Sequence, residues 1–456
     1  MILSREFSRI AWCIAVVAAG IAVAPGAADG DAMLQLIANF LLYALGTGAL
    51  LTSYLAFSPM TRDLVVFLSR DQQITIFKYR RLLWAVGIAC LAALLLRALL
   101  PLFDGPTFLG VAHWAWLIIT VPTVLLLSLA FWAMYVPVVM AAPKRHIVAG
   151  IAEADGFLQP DSIILGLAMG DKVRAYPRDL IARPHWFNDE VGGRPVMISY
   201  CILCNSGQAF IPVLKNGARL DLRNMTAFDN NTIYHCNNTG NFIQQLDARV
   251  ISGPDEGETL ESFPVIMARW DEWKRLHPET DVFYAPPETL RDRIVQKMLM
   301  TMIPLSRLAA RDEPWHLVRK EIDTRLPAMS FVFGVQIAGD ACAYPVTALA
   351  DNPVVNDTVG GEPVAVFYDA AHDIGQVFSR RAGDRTLTFT ATDSAIARDE
   401  ETGSTWSVSG KALGGELAGT QLDAAPHWNQ LFWFSWAAFK PGTKINTGDP
   451  SAQAAA

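Results

Sequence analysis

One stretch of eight residues, Asn188-Asp189-Glu190-Val191-Gly192-Gly193-Arg194-Pro195, determines how most of this chain is interpreted, because it returns as Asn356-Asp357-Thr358-Val359-Gly360-Gly361-Glu362-Pro363. The offset between the two stretches is 168 residues (356 − 188), and the same offset aligns Ala175-Tyr176-Pro177 with Ala343-Tyr344-Pro345. A Val-Gly-Gly sequence between apolar runs is typical of a β-hairpin. The pattern therefore predicts one structural unit that occurs twice.

The similarity continues to the end of each unit with an offset of 163 (433 − 270), which aligns Trp270 and Trp273 with Trp433 and Trp436. Short apolar runs bounded by turn residues predict strands through most of each unit, and the paired tryptophans predict an aromatic helix near its end. We therefore expect a β-rich (α+β) soluble part made of two duplicated units, at residues 150–285 and 329–447, packed about a pseudo-two-fold axis. Residues 448–456 are expected to form a disordered tail.

Residues 286–328, between the two units, are expected to contain an amphipathic helix. Apolar side chains recur there every four positions beside basic residues; the apolar set is Leu290, Ile294, Met298 and Met302, and the basic set is Arg291, Arg293, Lys297 and Arg307. A basic amphipathic helix can lie in the interface of a membrane. It can equally cover the seam between the two units, and the pattern favours neither alternative.

Residues 1–142 have the composition of a membrane region. A spanning helix needs about 20 mostly apolar residues. Four segments predict an all-α transmembrane part of about four helices: Ile10–Ala24, Met33–Phe57, Leu82–Phe103 and Gly110–Ala141. The first segment is shorter and follows Arg5 and Arg9, so it is either an uncleaved span or the core of a signal peptide. We therefore expect a multi-pass protein of the inner cell membrane, with the lipid bilayer and other membrane proteins as its partners.

The bias of Lys and Arg toward cytoplasmic loops predicts the orientation. The loop Ser58–Arg81 is placed on the inner side by five basic residues, Arg62, Arg70, Lys78, Arg80 and Arg81. Four spans then return the chain to the cytoplasm before Lys144 and Arg145. The last segment contains Pro122 and Pro137, and a miscount of one span there would place the soluble part outside the cytoplasm.

Charge and motif content exclude some classes of function. The net charge of −7 and the pI of about 5.7 disfavour a protein that binds the phosphate backbone, so no nucleic-acid partner is expected. The Gly-x-Ser-x-Gly elbow, the phosphate loop, the dinucleotide fingerprint and the His-Glu-x-x-His motif do not occur. Hydrolase and nucleotide-dependent chemistry lose support, and the sequence does not decide whether the protein is an enzyme.

Four motifs in the soluble part resemble the DUF3179 family, a bacterial and archaeal domain of unknown function. They are Ser199–Ser206 (Ser-Tyr-Cys-Ile-Leu-Cys-Asn-Ser), Val355–Pro363, Asp399–Trp406 and Leu417–Leu422. The resemblance covers residues 161–447. Since members of the family commonly look exported, it implies a location that conflicts with the charge bias. The family usually has Cys-Pro-Leu-Cys where this chain has Ile202 in place of the proline, a departure that bears on any shared redox tuning.

Cys201 and Cys204 are the strongest candidates for chemistry. Two thiols separated by two residues can bind one thiophilic metal ion, expected to be zinc or copper, or they can close a disulfide. A thioredoxin-type site would place the first cysteine at the N-terminus of a helix, whereas Cys201 follows the strand-like run Pro195–Tyr200. A closed four-cysteine zinc site is also disfavoured, because no second pair of cysteines has this spacing.

Two further pairs could complete a site with these cysteines. Asp369 and His372 stand 168 residues after the two thiols (369 − 201), so that Asp-Ala-Ala-His replaces Cys-Ile-Leu-Cys in the second unit. Both pairs can bind metal, and a pseudo-two-fold axis that brings the loops together would form a mixed site; otherwise His372 is a surface residue. His235 and Cys236, in an Asn-rich stretch, could also join the thiols, or they could belong to a plain polar loop.

Two hypotheses about function follow. In the first, the soluble part is a membrane-anchored, thiol-dependent metal-binding or redox module centred on Cys201 and Cys204, with His235, Cys236 or His372 assisting. In the second, it is a non-catalytic binding or scaffold module of a membrane complex, and the cysteines are structural. Metal content and selective thiol reactivity distinguish the two hypotheses.

Overall fold

The computed structural model describes residues 32–57, 68–99, 108–228, 230–302, 308, 310–314, 318, 321–393 and 396–448. The chain divides into two compact units, Met1–Val139 and Met140–Ala456. The predicted first span Ile10–Ala24 and residues 449–456 of the predicted tail lie outside the described residues.

The N-terminal unit is helical. Its described helices are α1 (Ala32–Phe57), α2 (Arg70–Leu99), α3 (Phe108–Met134) and the short α4 (Val136–Val139). Helices α1 and α2 approach closely at two glycines: a Cβ atom on Gly46 would lie 2.8 Å from the Leu91 side chain, and one on Gly87 would lie 2.7 Å from Leu50. Small residues permit such close packing of helix backbones.

Two of these helices are long and apolar enough to cross a membrane, over Ile37–Phe57 and Arg70–Leu96. Helix α3 contributes a shorter apolar stretch, Ile118–Ala133. Large apolar side chains are exposed on this unit, including Ile88, Leu96, Leu125, Leu126 and Leu129. A surface of this kind is suited to lipid, so these helices point to membrane association.

The predicted loop Ser58–Arg81 is wrong in its second part, because α2 begins at Arg70 and continues through Arg81. A capping box starts the helix: Gln72 N donates to Ser69 Oγ at 3.2 Å, and Ser69 N donates to Gln72 Oε1 at 2.7 Å. Residues 58–67 lie outside the described part of the chain. Four of the five basic residues of the predicted loop, Arg70, Lys78, Arg80 and Arg81, therefore lie on a helix.

The second unit is β-rich, as predicted, and has a first half at residues 147–284. Its elements are β1 (Ile147–Gly150), α5 (Ile151–Ala154), β2 (Ile163–Met169), β3 (Lys172–Pro177), α6 (Arg178–Ile181), β4 (Trp186–Val191), β5 (Arg194–Cys201), β6 (Ser206–Phe210), β7 (Leu222–Phe228), β8 (Asn231–Cys236), β9 (Phe242–Gln244), β10 (Arg249–Ser252), β11 (Ser262–Phe263), β12 (Ile266–Arg269), α7 (Trp270–Leu276) and β13 (Asp281–Tyr284).

Helix α8 and a second half at residues 331–445 follow. The elements are α8 (Leu290–Met302), β14 (Phe331–Ile337), β15 (Asp340–Pro345), α9 (Val346–Asp351), β16 (Val354–Val359), β17 (Glu362–Asp369), β18 (Ile374–Ser379), β19 (Arg381–Ala382), β20 (Arg385–Thr386), β21 (Phe389–Ala391), β22 (Ala397–Asp399), β23 (Thr405–Trp406), β24 (Ala412–Gly414), β25 (His427–Phe432), α10 (Trp433–Phe439) and β26 (Lys444–Ile445).

The two halves have corresponding sheets. In the first half the strand order β1-β13-β3-β2-β12 has β3 and β13 parallel, and in the second half the order β25-β14-β15-β26 has β15 and β26 parallel. The antiparallel strands β4-β5-β6 correspond to β16-β17-β18, and the meander β7 to β10 corresponds to β21 to β24. Each half therefore contains a mixed sheet, three consecutive antiparallel strands and a four-stranded antiparallel meander.

A glycine and a tryptophan lock the closing helix of each half onto its sheet. Gly166 on β2 lies under the ring of Trp273, and Gly334 on β14 lies under the ring of Trp436, so closely that a Cβ atom on either glycine would collide with the ring. Both tryptophans are completely buried. Glycine is required at these two positions because the aromatic ring occupies the space of a side chain.

Helix α8 packs against the first half. Gln296 Nε2 donates to Asp179 O at 2.6 Å, and Val295 is buried. Of the predicted apolar set, Leu290 and Ile294 are 68% and 48% exposed. These two side chains therefore point away from the β-rich unit.

Candidate functional site

The hairpin of β5 and β6 ends in a tight turn at residues 201–206, which we name the thiol turn. Cys201 is the last residue of β5 and pairs with Ser206, the first residue of β6. Asn205 adopts a left-handed backbone conformation with a φ of 53°, which asparagine tolerates well. Cys201 and Cys204 are completely buried. The first cysteine therefore ends a strand, as the pattern Pro195–Tyr200 predicts, and does not start a helix.

Polar side chains surround the second thiol. Cys204 Sγ lies 3.0 Å from Ser206 Oγ, and Asn231 Nδ2 donates to the sulfur at 3.3 Å. Gln245 joins these groups, since its Oε1 accepts from Asn231 Nδ2 at 2.6 Å and from Ser206 Oγ at 2.9 Å. Its Nε2 donates to Ser199 Oγ at 3.2 Å. All five residues are buried, so these hydrogen bonds form a polar interior shielded from water.

The two thiols differ in acidity. Burial opposes ionisation of Cys201, but hydrogen bonds from the Cys204 thiol, from Thr232 and from the backbone N–H groups of Leu203 and Cys204 outweigh burial and lower its pKa to about 7. Burial and the neighbouring Cys201 sulfur raise the pKa of Cys204. Cys201 is therefore the thiol that ionises near neutral pH, while Cys204 keeps its proton and donates it.

A buried histidine that sequence reasoning missed supports the thiol turn. His185 Nδ1 lies 2.8 Å from Tyr200 O, and burial outweighs this hydrogen bond and lowers the histidine pKa to about 4. Tyr200 Oη donates to Asn205 Oδ1 at 2.7 Å, and Tyr234 Oη donates to His185 O at 3.1 Å. The imidazole is neutral at pH 7, so it positions the turn without placing a positive charge near the sulfurs.

Strand β25 of the second half covers the thiol turn. Phe432 N donates to Cys204 O at 3.0 Å, and Asn205 Nδ2 donates to Gln430 O at 2.6 Å. Gln430 Nε2 donates in turn to Asp373 Oδ1 at 2.9 Å. Gln430 therefore connects the thiol turn with the corresponding turn of the second half, residues 369–374.

Residues 142–443 match the family described as a protein of unknown function (DUF3179). The chain belongs to the DUF3179 family. No curated protein and no solved structure matches the chain. The match spans both halves, so the resemblance noted at the four sequence motifs is confirmed. The thiol turn lies inside the DUF3179 region.

The Asp-Ala-Ala-His turn of the DUF3179 region, residues 369–372, meets a residue that sequence reasoning missed. His372 Nδ1 lies 2.7 Å from Asp369 Oδ2, and His372 Nε2 lies 4.0 Å from Glu272 Oε2 on α7 of the first half. One ligand atom from each of the three residues lies within 4.8 Å of the other two. No other group of three metal-capable side chains at that spacing occurs among the described residues. The predicted mixed site, in which Cys201 and Cys204 would join Asp369 and His372, is therefore not formed there.

His235 and Cys236 lie on strand β8 of the DUF3179 region and not in a plain polar loop. The His235 ring packs against Phe242 with ring centroids 4.8 Å apart. Cys236 is completely buried and its Sγ donates to Asn238 Oδ1 at 2.8 Å. The pair therefore contributes to the packing of the meander. That His235 and Cys236 assist the thiols remains a prediction.

The interior of the DUF3179 region differs between the halves. The offsets of 168 and 163 pair three buried polar residues of the first half with three buried apolar residues of the second: Ser199 with Phe367, Ser206 with Ile374, and Gln245 with Val408. Two buried acceptors of the first half, Gln208 Oε1 and Asn224 Oδ1, have no hydrogen-bond partner in the described part of the chain. The polar interior is thus specific to the half that carries the thiols.

Proposed function

We propose that the DUF3179 region of this chain is a thiol-dependent metal-binding or redox module centred on Cys201 and Cys204, which its N-terminal helices hold at a membrane. The observation that carries this proposal is the polar interior around the thiol turn. In the same frame, the second half fills the corresponding positions with apolar side chains.

The energetic cost of that interior argues for a function. A buried polar group without a partner costs about 1–3 kcal/mol, whereas replacing all members of a hydrogen-bonded set by apolar groups of the same shape can be nearly neutral or stabilising. Asn231 and Gln245 form hydrogen bonds with each other, and they also bond Cys204 and Ser206. An interior needed only for packing could use apolar side chains at these positions, as the second half does. The polar groups therefore support a role in controlling the protonation and reactivity of the sulfurs.

The unequal thiols are suited to two kinds of chemistry. Cys201, with a pKa of about 7, supplies a thiolate at neutral pH, which is the form that binds a soft metal ion. As a redox pair, the Cys201 thiolate attacks a small disulfide and releases one thiol. Cys204 then attacks the mixed disulfide and releases the second thiol, which leaves an intramolecular disulfide.

For the metal-binding form, the geometry favours copper(I) over zinc. A structural zinc ion is normally held by four ligands. In the described residues, no cluster of three ligand atoms within 4.8 Å includes either cysteine. Two thiolates without further ligands suit a soft ion of low coordination number, and among common metal ions copper(I) has that preference.

The experiment is a measurement of metal content and thiol state in the full-length protein purified in detergent. We expect the wild-type protein to bind one copper(I) per chain or to oxidise reversibly at two thiols, and the Cys201→Ser/Cys204→Ser variant to do neither. Cys342→Ser is the matched control, since burial raises the pKa of that thiol to about 12. Wild-type protein that binds no metal and whose thiols neither oxidise nor react selectively would contradict the proposal.

That negative outcome is the expectation of the alternative hypothesis, a non-catalytic binding or scaffold module with structural cysteines. The contacts of Cys204 O with Phe432 N and of Asn205 with Gln430 favour this alternative, because they make the thiol turn part of the packing between the halves.

We further infer that the protein is a multi-pass inner-membrane protein whose two halves arose by duplication and whose β-rich part is cytoplasmic. The corresponding strand orders and the repeated Gly-Trp contacts support the duplication, and the exposed apolar side chains of the helical unit support lipid as its surroundings. A topology reporter fused after Pro143 tests the orientation. A periplasmic signal would overturn it and would favour a stable disulfide at the thiol turn.

A further inference from the structure

A second group of metal-capable side chains lies where the two halves of the β-rich unit meet. Glu272 belongs to helix α7 of the first half, whereas Asp369 and His372 belong to a turn of the second half. We propose that Glu272 and His372 bind a divalent transition-metal ion such as Zn²⁺, and that Asp369 orients the histidine for it. The site is separate from the thiol turn and does not depend on the function proposed for it.

The distances leave room for an ion. His372 Nε2 and Glu272 Oε2 are 4.0 Å apart. Bonds from zinc to histidine nitrogen and carboxylate oxygen are about 2.0–2.2 Å long. An ion placed between the two atoms would therefore be within bonding distance of both after a small adjustment, while the Asp369 carboxylate lies at the other ring nitrogen, Nδ1.

Asp369 also orients the imidazole. Its Oδ1 accepts from Ala371 N at 3.0 Å, and its Oδ2 lies 2.7 Å from His372 Nδ1. A carboxylate that accepts from one ring nitrogen fixes the tautomer and directs the other nitrogen to the metal. Nε2 is therefore the ligand atom, and it points toward Glu272.

The environment favours a cation at Glu272. This carboxylate is only 4% exposed, and burying it without a counter-charge would be costly. Arg275 supplies a counter-charge by donating to both of its oxygens. The Arg275 side chain is 57% exposed, so it can move into solvent when a metal ion takes its place.

The experiment titrates Zn²⁺ into full-length protein in detergent that carries Cys201→Ser and Cys204→Ser, so that the thiols contribute nothing to the signal. We expect one ion per chain. His372→Ala should weaken binding at least about 100-fold, and Asp369→Asn should weaken it about 10–100-fold. Arg275→Gln should tighten binding about tenfold, because it removes the competing positive charge.

His146→Ala is the matched control, since His146 is an exposed histidine elsewhere on the same unit, and it should leave the affinity unchanged. If the double serine variant fails to fold, the wild-type chain answers the question through stoichiometry: His372→Ala should lower bound Zn²⁺ by one ion per chain. Absence of Zn²⁺ binding in the serine background, or equal binding by His372→Ala, would overturn the site and leave the thiol proposal untouched.

Discussion

The first and second halves of the β-rich unit have the same frame and different interiors. Both place a glycine under a buried tryptophan, at Gly166 and Gly334, and both have the same order of hairpins and meander. The first half then buries polar side chains at Ser199, Ser206 and Gln245, whereas the second half has Phe367, Ile374 and Val408 at the aligned positions. The comparison therefore separates the residues that both halves need for folding from the polar residues that a functional site in the first half would need.

The largest expected effect tests whether the frame is common to both halves. Trp273→Ala and Trp436→Ala should each lower the free energy of unfolding by about 3–5 kcal/mol, because each removes a completely buried ring. Denaturant unfolding followed by circular dichroism measures the loss. Trp132→Ala, at an exposed position in the helical unit, is the control. If only one of the two buried positions tolerates alanine, the halves do not share the frame.

The next prediction exchanges the interiors. Gln245→Val should lower the free energy of unfolding by about 2–3 kcal/mol, because the donors on Asn231 and Ser206 lose a buried acceptor. Val408→Gln should cost a similar amount, since it places an amide among apolar side chains. The same unfolding experiment measures both. A more stable Gln245→Val variant would show that the polar interior is not organised around Gln245.

A smaller effect is expected where both halves use the same hydrogen bond. Tyr176 Oη donates to Asp189 Oδ2 at 2.7 Å, and Tyr344 Oη donates to Asp357 Oδ2 at 2.8 Å. Tyr176→Phe and Tyr344→Phe should each cost about 1.5 kcal/mol, because each removes a hydrogen bond to a carboxylate. If only one of the two variants lost stability, the two hydrogen bonds would have the same geometry but would contribute unequally to the free energy of unfolding.

The last prediction concerns ionisation in the folded protein. With a pKa of about 7, Cys201 is a thiol below that pH and a thiolate above it. The ultraviolet absorbance of this thiolate needs no reagent to reach the buried sulfur, so it should rise with a midpoint near pH 7 in the wild-type protein and be missing from Cys201→Ser. A pH titration of the absorbance difference between the two proteins measures the midpoint. A midpoint near pH 9, the range of an ordinary thiol, would contradict the difference drawn between Cys201 and Cys204.

Most of the fold could be predicted from local and repeated sequence patterns. The Val-Gly-Gly sequences predicted the hairpins, and the tryptophans at positions 273 and 436 predicted the closing helices, because both signals act over a few residues. The start of α2 was missed although Ser69 and Gln72 form a capping box, since the basic residues that follow were assigned to a loop.

The candidate sites could be predicted only in part. Cys201 and Cys204 were evident because their spacing is local. Asn231 and Gln245 were not, since the first residue of β8 and the residue after β9 stand in polar stretches that resemble a loop in composition. Glu272 was missed because it meets His372 across 100 residues of sequence (372 − 272), and that contact depends on how the halves pack.

Gln430 has a consequence for how quickly the thiols can be reached. Its backbone oxygen holds Asn205 and its side chain holds Asp373, while Phe432 N holds Cys204 O. Movement of strand β25 away from the thiol turn would break all three bonds, so opening by this route should involve both turns as one cooperative local unfolding event. Reagents and metal ions would then react with a rare open form, and the local stability of strand β25 would set the speed of any chemistry at the sulfurs.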